Sequence, residues 1–324
     1  MLYLFGPTHG TRSQQHAFGN FLKERRVNYR HIYEYENLID LKIKEGDTFL
    51  CGIPVDCYER NIETIKFLKS TNARVFFLLD HWHNSYKNFY DLDTNQLILP
   101  DKIFCIDNFM KKNLQSGGIK SENIIVSGHP DLENTFNKKI TYQECENTKL
   151  IHNIRGDLFT LYLDPVPQSR KIEIGYCDTE VVDLVCRAFY NFKKEHTLLI
   201  KCHPRTEIND IEDTVSRFGK DKILISNNLK NISNNQILNI SEKIVGMTTI
   251  MLAHALVLEK PTKSIQINPT ELGKKRSNYL LDKIKIQSLE EVCEHFQSKN
   301  FKKSIVDTCI FRESCSKIYY AMDI

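Results

Sequence analysis

Short apolar runs, rich in β-branched and aromatic residues, alternate with helical stretches along almost the whole chain. Strands that are separated by helices favour a mostly parallel sheet with helices on both of its faces. The sparse Gly (13) and Pro (9) residues exclude collagen-like and Pro/Gly-rich disordered chains. In the first half the predicted strands are LYLFG, YRHIYEY, DTFLCG, ARVFFLLD, KIFCID and NIIVSG, and the predicted helices are Gln14–Arg26, Cys57–Ser70 and Asn108–Ser116.

The same alternation restarts after a polar break at residues 134–153, which is rich in Lys, Asn, Thr and Glu and predicts a linker. A chain of 324 residues is long enough for two domains of roughly 150 residues each. We therefore expect an N-terminal domain over residues 1–133 and a C-terminal domain over residues 154–300. Both are predicted to be α/β, with doubly wound parallel sheets that bind ligands at the carboxyl ends of their strands and in the cleft between domains.

Composition narrows the classes of function. The 44 basic residues nearly balance the 41 acidic ones, so bulk charge does not indicate a nucleic-acid partner. No apolar segment reaches the roughly 20 residues of a membrane span, and the N-terminus lacks the basic region of a signal peptide. The ten cysteines form no C-x-x-C pair, which favours reduced, buried thiols over a zinc site or a disulfide framework. We expect a soluble, cytoplasmic protein.

The strongest motif is LLIKCHPRTE, in which Lys201, His203, Pro204 and Arg205 follow a continuous apolar strand. Pro204 ends the strand and fixes the loop that carries His203. A histidine between two cations suits an anionic ligand, above all a phosphate. An ordinary His-Pro turn with solvated charges is the alternative.

A second motif, KIVGMTTIML, places a glycine and two hydroxyls between a strand and a helix predicted over Thr248–Leu258. Gly246 allows a tight turn, and Thr248 and Thr249 would stand at the helix start, where free N–H groups and the helix dipole attract anions. An ordinary Thr N-cap is the alternative.

The segment LYLDPVPQSR ends the first strand of the same domain and should meet the same cleft. Asp164 is either part of the site or only a turn residue before Pro165. The predicted nucleotide-binding residues of this segment are Asp164, Gln168, Ser169 and Arg170.

Two N-terminal segments carry polar groups at strand ends. GPTHGTRS offers Thr8, His9 and Arg12, but it is no G-x-G-x-x-G motif. FFLLDHWHN ends a strand in Asp80, which suits a general base beside imidazoles. Metal ligation is the rival hypothesis, although no third ligand is suitably spaced, and a structural turn is the other. The residues predicted in this second segment are Asp80, His81, Trp82 and His83.

A second His-Pro pair, His129–Pro130, stands in NIIVSGHPDLEN just before the polar break, and its place favours a turn at the domain boundary. The stretch NFMKKNLQSGGIKSENIIVSGHPDLEN resembles the end of the N-terminal domain of GT-B glycosyltransferases. KCHPR followed by GMTT is similar to bacterial capsule and lipopolysaccharide transferases of the CMP-sialic-acid, Kdo and CDP-glycerol types. DHWHNSYKNF also resembles an Asp-His-Trp motif of polysaccharide-cluster proteins.

The resemblance implies two facing Rossmann-like domains, with residues 301–324 forming a helix that crosses back to the N-terminal domain. It also implies transfer of a sugar from a nucleotide donor, with CMP preferred on resemblance alone, to a glycan or lipid-linked glycan acceptor. His203, Thr248 and Thr249 would contact the donor phosphate. The alternatives are a non-hydrolysing UDP-sugar 2-epimerase, whose Arg-Pro-Glu loop is missing here, a CDP-glycerol-type phosphotransferase, and a catalytically silent sugar-binding or scaffold protein.

Transfer needs a base on the acceptor side and stabilisation of the departing phosphate. Asp80 is the predicted base and His9 its substitute, because a neutral imidazole also accepts a proton. Thr8, Arg12, His81, Trp82 and His83 would line the acceptor side, and His203 with the Thr pair would make a metal or other cofactor unnecessary. Basic and apolar residues mix in the C-terminal helices, which leaves peripheral contact with the inner membrane open beside the simpler account of a solvated helix face.

Overall fold

The structure is a computed structural model that describes two compact units, residues 1–134 with 308–324 and residues 135–307. The described residues are 1–53, 58–82, 86–191, 195–219, 221–226, 231–298 and 308–324.

The first unit is built around a six-stranded parallel sheet in the order β2-β1-β3-β4-β7-β8. Apart from Thr48 and Arg74 at their starts, its long strands are apolar and buried, because helices cover both faces of such a sheet. The strands are β1 Leu2–Phe5, β2 Tyr29–Ile32, β3 Thr48–Ile53, β4 Arg74–Leu79, β5 Tyr90–Asp91, β6 Gln96–Leu97, β7 Lys102–Cys105 and β8 Ile124–Val126, and the helices are α1 His9–Glu24, α2 Tyr35–Ile39, α3 Tyr58–Ser70 and α4 Asn108–Ser116. The next helix, α5 Pro130–Asn137, begins in the first unit and ends in the second. The strands β5 and β6 form a separate antiparallel pair.

The second unit repeats this plan with a six-stranded parallel sheet in the order β11-β10-β9-β12-β13-β14. Its core joins β9, β10 and β12 to one face of α8 and α14 through side chains such as Phe159, Val185 and Phe296. The strands are β9 Asp157–Tyr162, β10 His196–Lys201, β11 Ile223–Ile225, β12 Ser241–Gly246, β13 Thr262–Ile265 and β14 Lys285–Ile286, and the helices are α6 Tyr142–Ile151, α7 Lys171–Ile174, α8 Asp178–Tyr190, α9 Ile208–Ser216, α10 Asn234–Ile240, α11 Met251–Val257, α12 Glu271–Lys275, α13 Tyr279–Asp282 and α14 Leu289–Gln297.

The last helix, α15 (Ser314–Met322), packs in the core of the first unit. Its buried residues Cys315, Ile318 and Met322 contact the apolar face formed by β1, β3 and α1. Short 3₁₀ helices cover Tyr86–Phe89, Ser121–Asn123, Gln168–Arg170 and Cys309–Phe311. Within the described ranges no helix is long and apolar enough to cross a bilayer.

In both sheets the chain first adds strands on one side of the first strand and then crosses to the other side. The order therefore reverses between β1 and β3 in the first unit, and between β9 and β12 in the second. Ligands of open α/β sheets bind at such switch points, outside the carboxyl ends of the strands. The predicted fold class, two doubly wound parallel-sheet domains of the α/β class, is confirmed.

The polar stretch 134–153, predicted as a linker, contains the helix α6. A capping box starts this helix, with the Glu144 carboxylate accepting the Thr141 N–H at 2.7 Å. Several of its apolar side chains, including Leu150 and Ile151, are exposed. The segment therefore lacks the apolar periodicity that would have predicted a helix.

Candidate functional site

At the switch point of the second unit, a buried hydrogen-bonded pair, Asp164 and Thr248, connects the loops after β9 and β12; we call this pair the clamp. Oδ2 of Asp164 accepts the Thr248 N–H at 2.8 Å and also accepts the Thr248 hydroxyl proton. Both residues are only 7% exposed. The donors of Thr248, predicted to bind a ligand phosphate, therefore hold an internal carboxylate.

The clamp also sets where the next helix begins. The sequence predicts a helix start at Thr248, but α11 begins at Met251. Thr248 is held outside the helix by Asp164, and Oγ1 of Thr249 accepts the Met251 N–H at 3.3 Å. Thr249 is half-buried, so of the two threonines it is the one at the accessible surface of the edge.

Gly246 has a packing role at this edge. It pairs with Tyr162 of the neighbouring strand, and a Cβ at this position would lie 2.8 Å from the Tyr162 carbonyl oxygen. No side chain fits so close to a backbone oxygen. The glycine is required by the approach of β12 to β9.

His203 lies at the same edge, in the loop after β10. Its Nδ1 accepts the Arg205 N–H at 3.1 Å, and its carbonyl oxygen accepts the Thr206 N–H at 2.9 Å. Because Nδ1 is an acceptor, the proton of the neutral imidazole is on Nε2. Burial, with Arg205 and Arg276 adding to it against the opposing effect of Asp164, lowers the pKa of His203 and so favours this neutral form.

The remaining predicted residues of this edge differ in exposure. Pro204 and Arg205 are exposed, whereas Lys201 is half-buried and its carbonyl oxygen accepts the Leu163 N–H. Gln168, Ser169 and Arg170 form an exposed 3₁₀ turn. The side chain of Gln168 accepts the Cys177 thiol proton, and Arg170 pairs with Glu173, so both have structural partners at the rim.

Two residues that sequence reasoning missed also lie here. The Arg276 guanidinium is 4.0 Å from Oδ2 of Asp164. Tyr176 is 1% exposed, and burial, together with Asp164, raises the pKa of its hydroxyl. Neither residue stands in a strand-end motif, and only the folded chain brings them to Asp164.

In the first unit, Asp80 follows β4 at the carboxyl edge of its sheet. A Cβ built on Gly10 would lie 3.1 Å from Oδ2 of Asp80, which places this carboxylate at the first turn of α1. The partial positive charge of a helix N-terminus stabilises an ionised carboxylate. This position supports Asp80 as a group that could accept a proton.

Of the residues predicted in the loop before α1 and at the start of that helix, one is exposed and two are hydrogen-bonded within the chain. His9 is exposed at the helix start, and Thr8 is bonded to Thr11 in the turn that begins the helix. Arg12 is engaged by the chain itself, since its guanidinium donates to the carbonyl oxygen of Gly6 and pairs with Glu34 at 2.7 Å.

Trp82 is buried, at 3% exposure, and its indole N–H donates to Asp107 at 2.6 Å. Asp107 in turn caps α4, so Trp82 ties the loop to the scaffold. His81 is half-buried beside it, with ring centroids 6.3 Å apart. His83, also predicted for the acceptor side, lies outside the described residues. Over the part of the chain that the structure describes, no group of three or more His, Cys, Asp or Glu residues could hold a metal ion.

Comparisons with known proteins identify the fold. No protein-family model matches the sequence, and no curated protein matches it either. Among solved structures, the chain is similar to UDP-GlcNAc 2-epimerase from Methanocaldococcus jannaschii (14% identity, TM-score 0.59, 100% of this chain and 99% of that one). It is also similar to UDP-GlcNAc 2-epimerase from Neisseria meningitidis bound to UDP-GlcNAc (13%, 0.58, 99% and 98%), and to Anabaena HepE in complex with UDP and glucose (8%, 0.55, 98% and 94%).

These similarities confirm a GT-B-like fold and correct the functional prediction. Several of the matching structures are 2-epimerases, which share this fold with glycosyltransferases. The prediction of a capsule- or lipopolysaccharide-type glycosyltransferase, of the sialyl, Kdo or CDP-glycerol type, is therefore wrong. The fold is common to both classes, and the short His-Pro and paired-threonine motifs do not separate them.

Proposed function

We propose that this chain binds a nucleoside-diphosphate sugar at the carboxyl edge of its second sheet and is an enzyme that epimerises that sugar. The observation that carries the proposal is the state of His203, whose Nδ1 is fixed by the Arg205 N–H. Its Nε2–H has no hydrogen-bond acceptor among the described residues, so it can donate to a ligand. A fixed imidazole N–H at a switch point suits a phosphate oxygen.

The surrounding groups support an anionic ligand. Arg205 is exposed beside His203, and Lys201 lies two residues before it. Thr249 adds a half-buried hydroxyl from the loop after β12. We assign phosphate contacts to His203, Arg205 and Thr249, and a structural role to Thr248, whose donors are bonded to Asp164.

The nucleotide is proposed to be a uridine nucleotide. The Neisseria epimerase structure holds UDP-GlcNAc, and the Anabaena structure holds UDP and glucose on the same fold. This replaces the CMP preference, which came from resemblance to the transferases. Because epimerisation alters a single substrate, it requires no glycan acceptor and no membrane contact.

Inverting C2 of the sugar requires a base to take its proton while the C–H electrons form a C1–C2 double bond and the C1–O bond to the diphosphate breaks. The diphosphate then returns to C1 as a proton is added to the opposite face of C2, so proton-exchanging groups are needed. Asp80 is our candidate for the first role, because its carboxylate stands at a strand end next to the N-terminus of α1. His9, exposed at the start of the same helix, is the candidate for the second.

Binding is tested by calorimetric titration with UDP of the wild type, His203→Gln and His152→Gln. His152 caps α6 at the opposite, amino end of the second sheet, so its replacement removes an imidazole from the same unit without touching the edge. We expect the wild type and His152→Gln to bind UDP equally and His203→Gln to bind about tenfold more weakly. Absence of UDP binding by the wild type would contradict the proposal.

Epimerisation is tested by incubating the protein with UDP-GlcNAc in D₂O and following deuterium at the sugar C2 by NMR and mass spectrometry. The wild type should incorporate deuterium and yield the C2 epimer, and Asp80→Asn should slow this by about 10²–10⁴. UDP binding without any deuterium incorporation would instead identify a nucleotide-binding protein without this activity.

A further inference from the structure

Arg276 lies at the edge of the proposed site, and the backbone segments before and after it are both held by the fold. It is the C-cap residue of α12, which follows β13, so it approaches the switch point from the side opposite to β10 and His203. Nη2 of its guanidinium is 4.0 Å from Oδ2 of Asp164. The Asp164 side chain is 10% exposed and that of Arg276 is 28% exposed, so the arginine lies on the solvent side of the pair.

The backbone before Arg276 is packed against α7 without room for adjustment. A Cβ on Gly273 would lie 2.1 Å from the Ile174 carbonyl oxygen, and the same oxygen accepts the Thr270 N–H at 3.0 Å. Only a glycine permits this contact between α12 and α7. The helix that ends in Arg276 is therefore held against the loop that follows Asp164.

The backbone after Arg276 is tied to the sheet by buried polar groups. The Ser277 hydroxyl accepts a hydrogen bond from the Gln266 side-chain amide at 2.9 Å and donates to Asp282 at 2.7 Å. The same amide donates to Ser264 on β13 at 3.0 Å. Buried networks whose members are paired fix one local geometry, so the direction of the neighbouring Arg276 is set by the fold.

Asp164 poses an electrostatic problem for an anion site. Its carboxylate is buried beside the edge at which a ligand phosphate would bind, and two like charges in a partly desolvated place repel. Thr248 satisfies the carboxylate with hydrogen bonds but brings no opposing charge. Arg276 brings that charge, and its planar fork presents several donors that can serve a carboxylate and a phosphate together.

We propose that Arg276 binds the ligand's diphosphate and that Asp164 is a positioning residue that holds the Arg276 guanidinium in place. The inference rests on the proposed function, since it names a further phosphate contact of the same site. On this account the carboxylate at the centre of the site acts on the ligand only through the arginine.

The test is a double-mutant cycle of Arg276→Gln and Asp164→Asn, with UDP and uridine as calorimetric ligands. Lys275→Gln is the matched control, because it removes an exposed cation one residue away on the same helix. We expect Arg276→Gln to weaken UDP binding about 10–100-fold, while uridine binding and the Lys275→Gln variant remain unchanged. Asp164→Asn keeps an oxygen for Thr248, and it should weaken UDP binding severalfold in the wild type but not in Arg276→Gln.

The possible outcomes distinguish failure of the proposed function from failure of the inference about Arg276. A wild type that binds neither UDP nor uridine overturns the proposed function and this inference with it. A wild type that binds UDP, with Arg276→Gln binding it equally well, overturns the inference alone. The same holds if Asp164→Asn tightens UDP binding, or weakens it equally in both backgrounds, since Asp164 would then act on the ligand without Arg276. A thermal melt of each variant confirms that the compared proteins are folded.

Discussion

The chain carries the dipeptide His-Pro at two places, His129–Pro130 in the first unit and His203–Pro204 in the second. Both follow an apolar strand, and in both the histidine Nδ1 accepts a backbone N–H, from Leu132 at 3.3 Å and from Arg205 at 3.1 Å. The difference lies at Nε2. In His129 this atom lies 3.1 Å from Nε2 of Gln14 and 3.3 Å from the Asp80 carbonyl oxygen.

His129 is 3% exposed, whereas His203 is half-buried with its Nε2 directed to no acceptor among the described residues. Within the described part of the chain, the same dipeptide thus gives a fully bonded, buried histidine in the first unit and a half-buried histidine with a free Nε2–H in the second. The hydrogen-bond partner of Nε2 distinguishes the two histidines, and tertiary structure determines that partner. The following predictions test this contrast, from the largest expected effect to the smallest.

His129→Ala should lower the free energy of unfolding by about 3 kcal/mol, because it leaves a cavity and removes partners of Leu132 and Asp80. Urea denaturation measures this, and UDP affinity should stay unchanged at temperatures where the variant is folded. His203→Ala should change stability by less than about 1 kcal/mol. Equal destabilisation by the two alanine variants would contradict a structural role for His129 and a ligand-binding role for His203.

Asp178→Asn should stabilise the protein by about 2 kcal/mol at pH 7.5. Asp178 is 4% exposed at the start of α8, and burial, with Asp210 and Glu207 adding to it, raises its pKa to about 6. Between pH ~4 and 6 the folded chain keeps a proton that the unfolded chain has lost, so this group's contribution to stability falls as the pH rises.

The gain from Asp178→Asn should therefore vanish below about pH 4, where both forms of the chain carry the proton. Denaturation of both proteins across pH 4 to 8 measures it. Burial, with Asp178 adding to it, raises the pKa of the Cys202 thiol, which precedes His203 in the chain. Asp178 accepts the Thr179 N–H at 2.8 Å, so it is a hydrogen-bonded, buried carboxylate near the His-Pro loop. A gain that does not depend on pH would contradict this explanation.

Thr248→Val should reduce stability by about 1.5 kcal/mol, because the buried Asp164 carboxylate loses one of its donors. Thermal unfolding with and without UDP measures it. This effect should be present without ligand, which assigns Thr248 to the scaffold of the site.

Thr249→Val should leave the unfolding temperature unchanged and weaken UDP binding about fivefold. Its hydroxyl is half-buried at the edge and is bonded only to the Met251 N–H in the described hydrogen bonds. Calorimetry of Thr248→Val and Thr249→Val side by side measures the split. A larger loss of UDP affinity in Thr248→Val would restore the prediction that both threonines bind phosphate.

The sequence predicts the parallel sheets well, because short runs with an apolar centre, such as HTLLIK, are typical of buried strands between helices. It misses α6, whose signal is the capping box of Thr141 and Glu144 rather than apolar periodicity. It places His203 at a strand end because Pro204 stops the strand. It cannot place Arg276 or the bond from Thr248 to Asp164, since both depend on contacts between residues far apart in the chain.

The sequence motifs indicate the fold more directly than the function, for a related reason. The His-Pro and paired-threonine motifs indicate a sheet edge suited to a phosphate ligand. Transferases and epimerases that use nucleotide sugars both need such an edge. What separates the two classes is the chemistry done on the sugar, for which Asp80 and His9 are our proposed proton-exchanging groups. The strand-end motifs alone carry no information on that.

The central claim is that Nε2 of His203 carries a proton and meets the ligand's phosphate. It is tested most directly by NMR of ¹⁵N-histidine-labelled protein during a UDP titration, with the His203 signals assigned by their loss in His203→Gln. We predict a neutral His203 protonated at Nε2 at pH 7.5, whose Nε2 signal shifts until UDP saturates the site, while the signals of His129 stay unchanged. A His203 that is protonated at Nδ1, or whose signals do not move at saturating UDP, would contradict it.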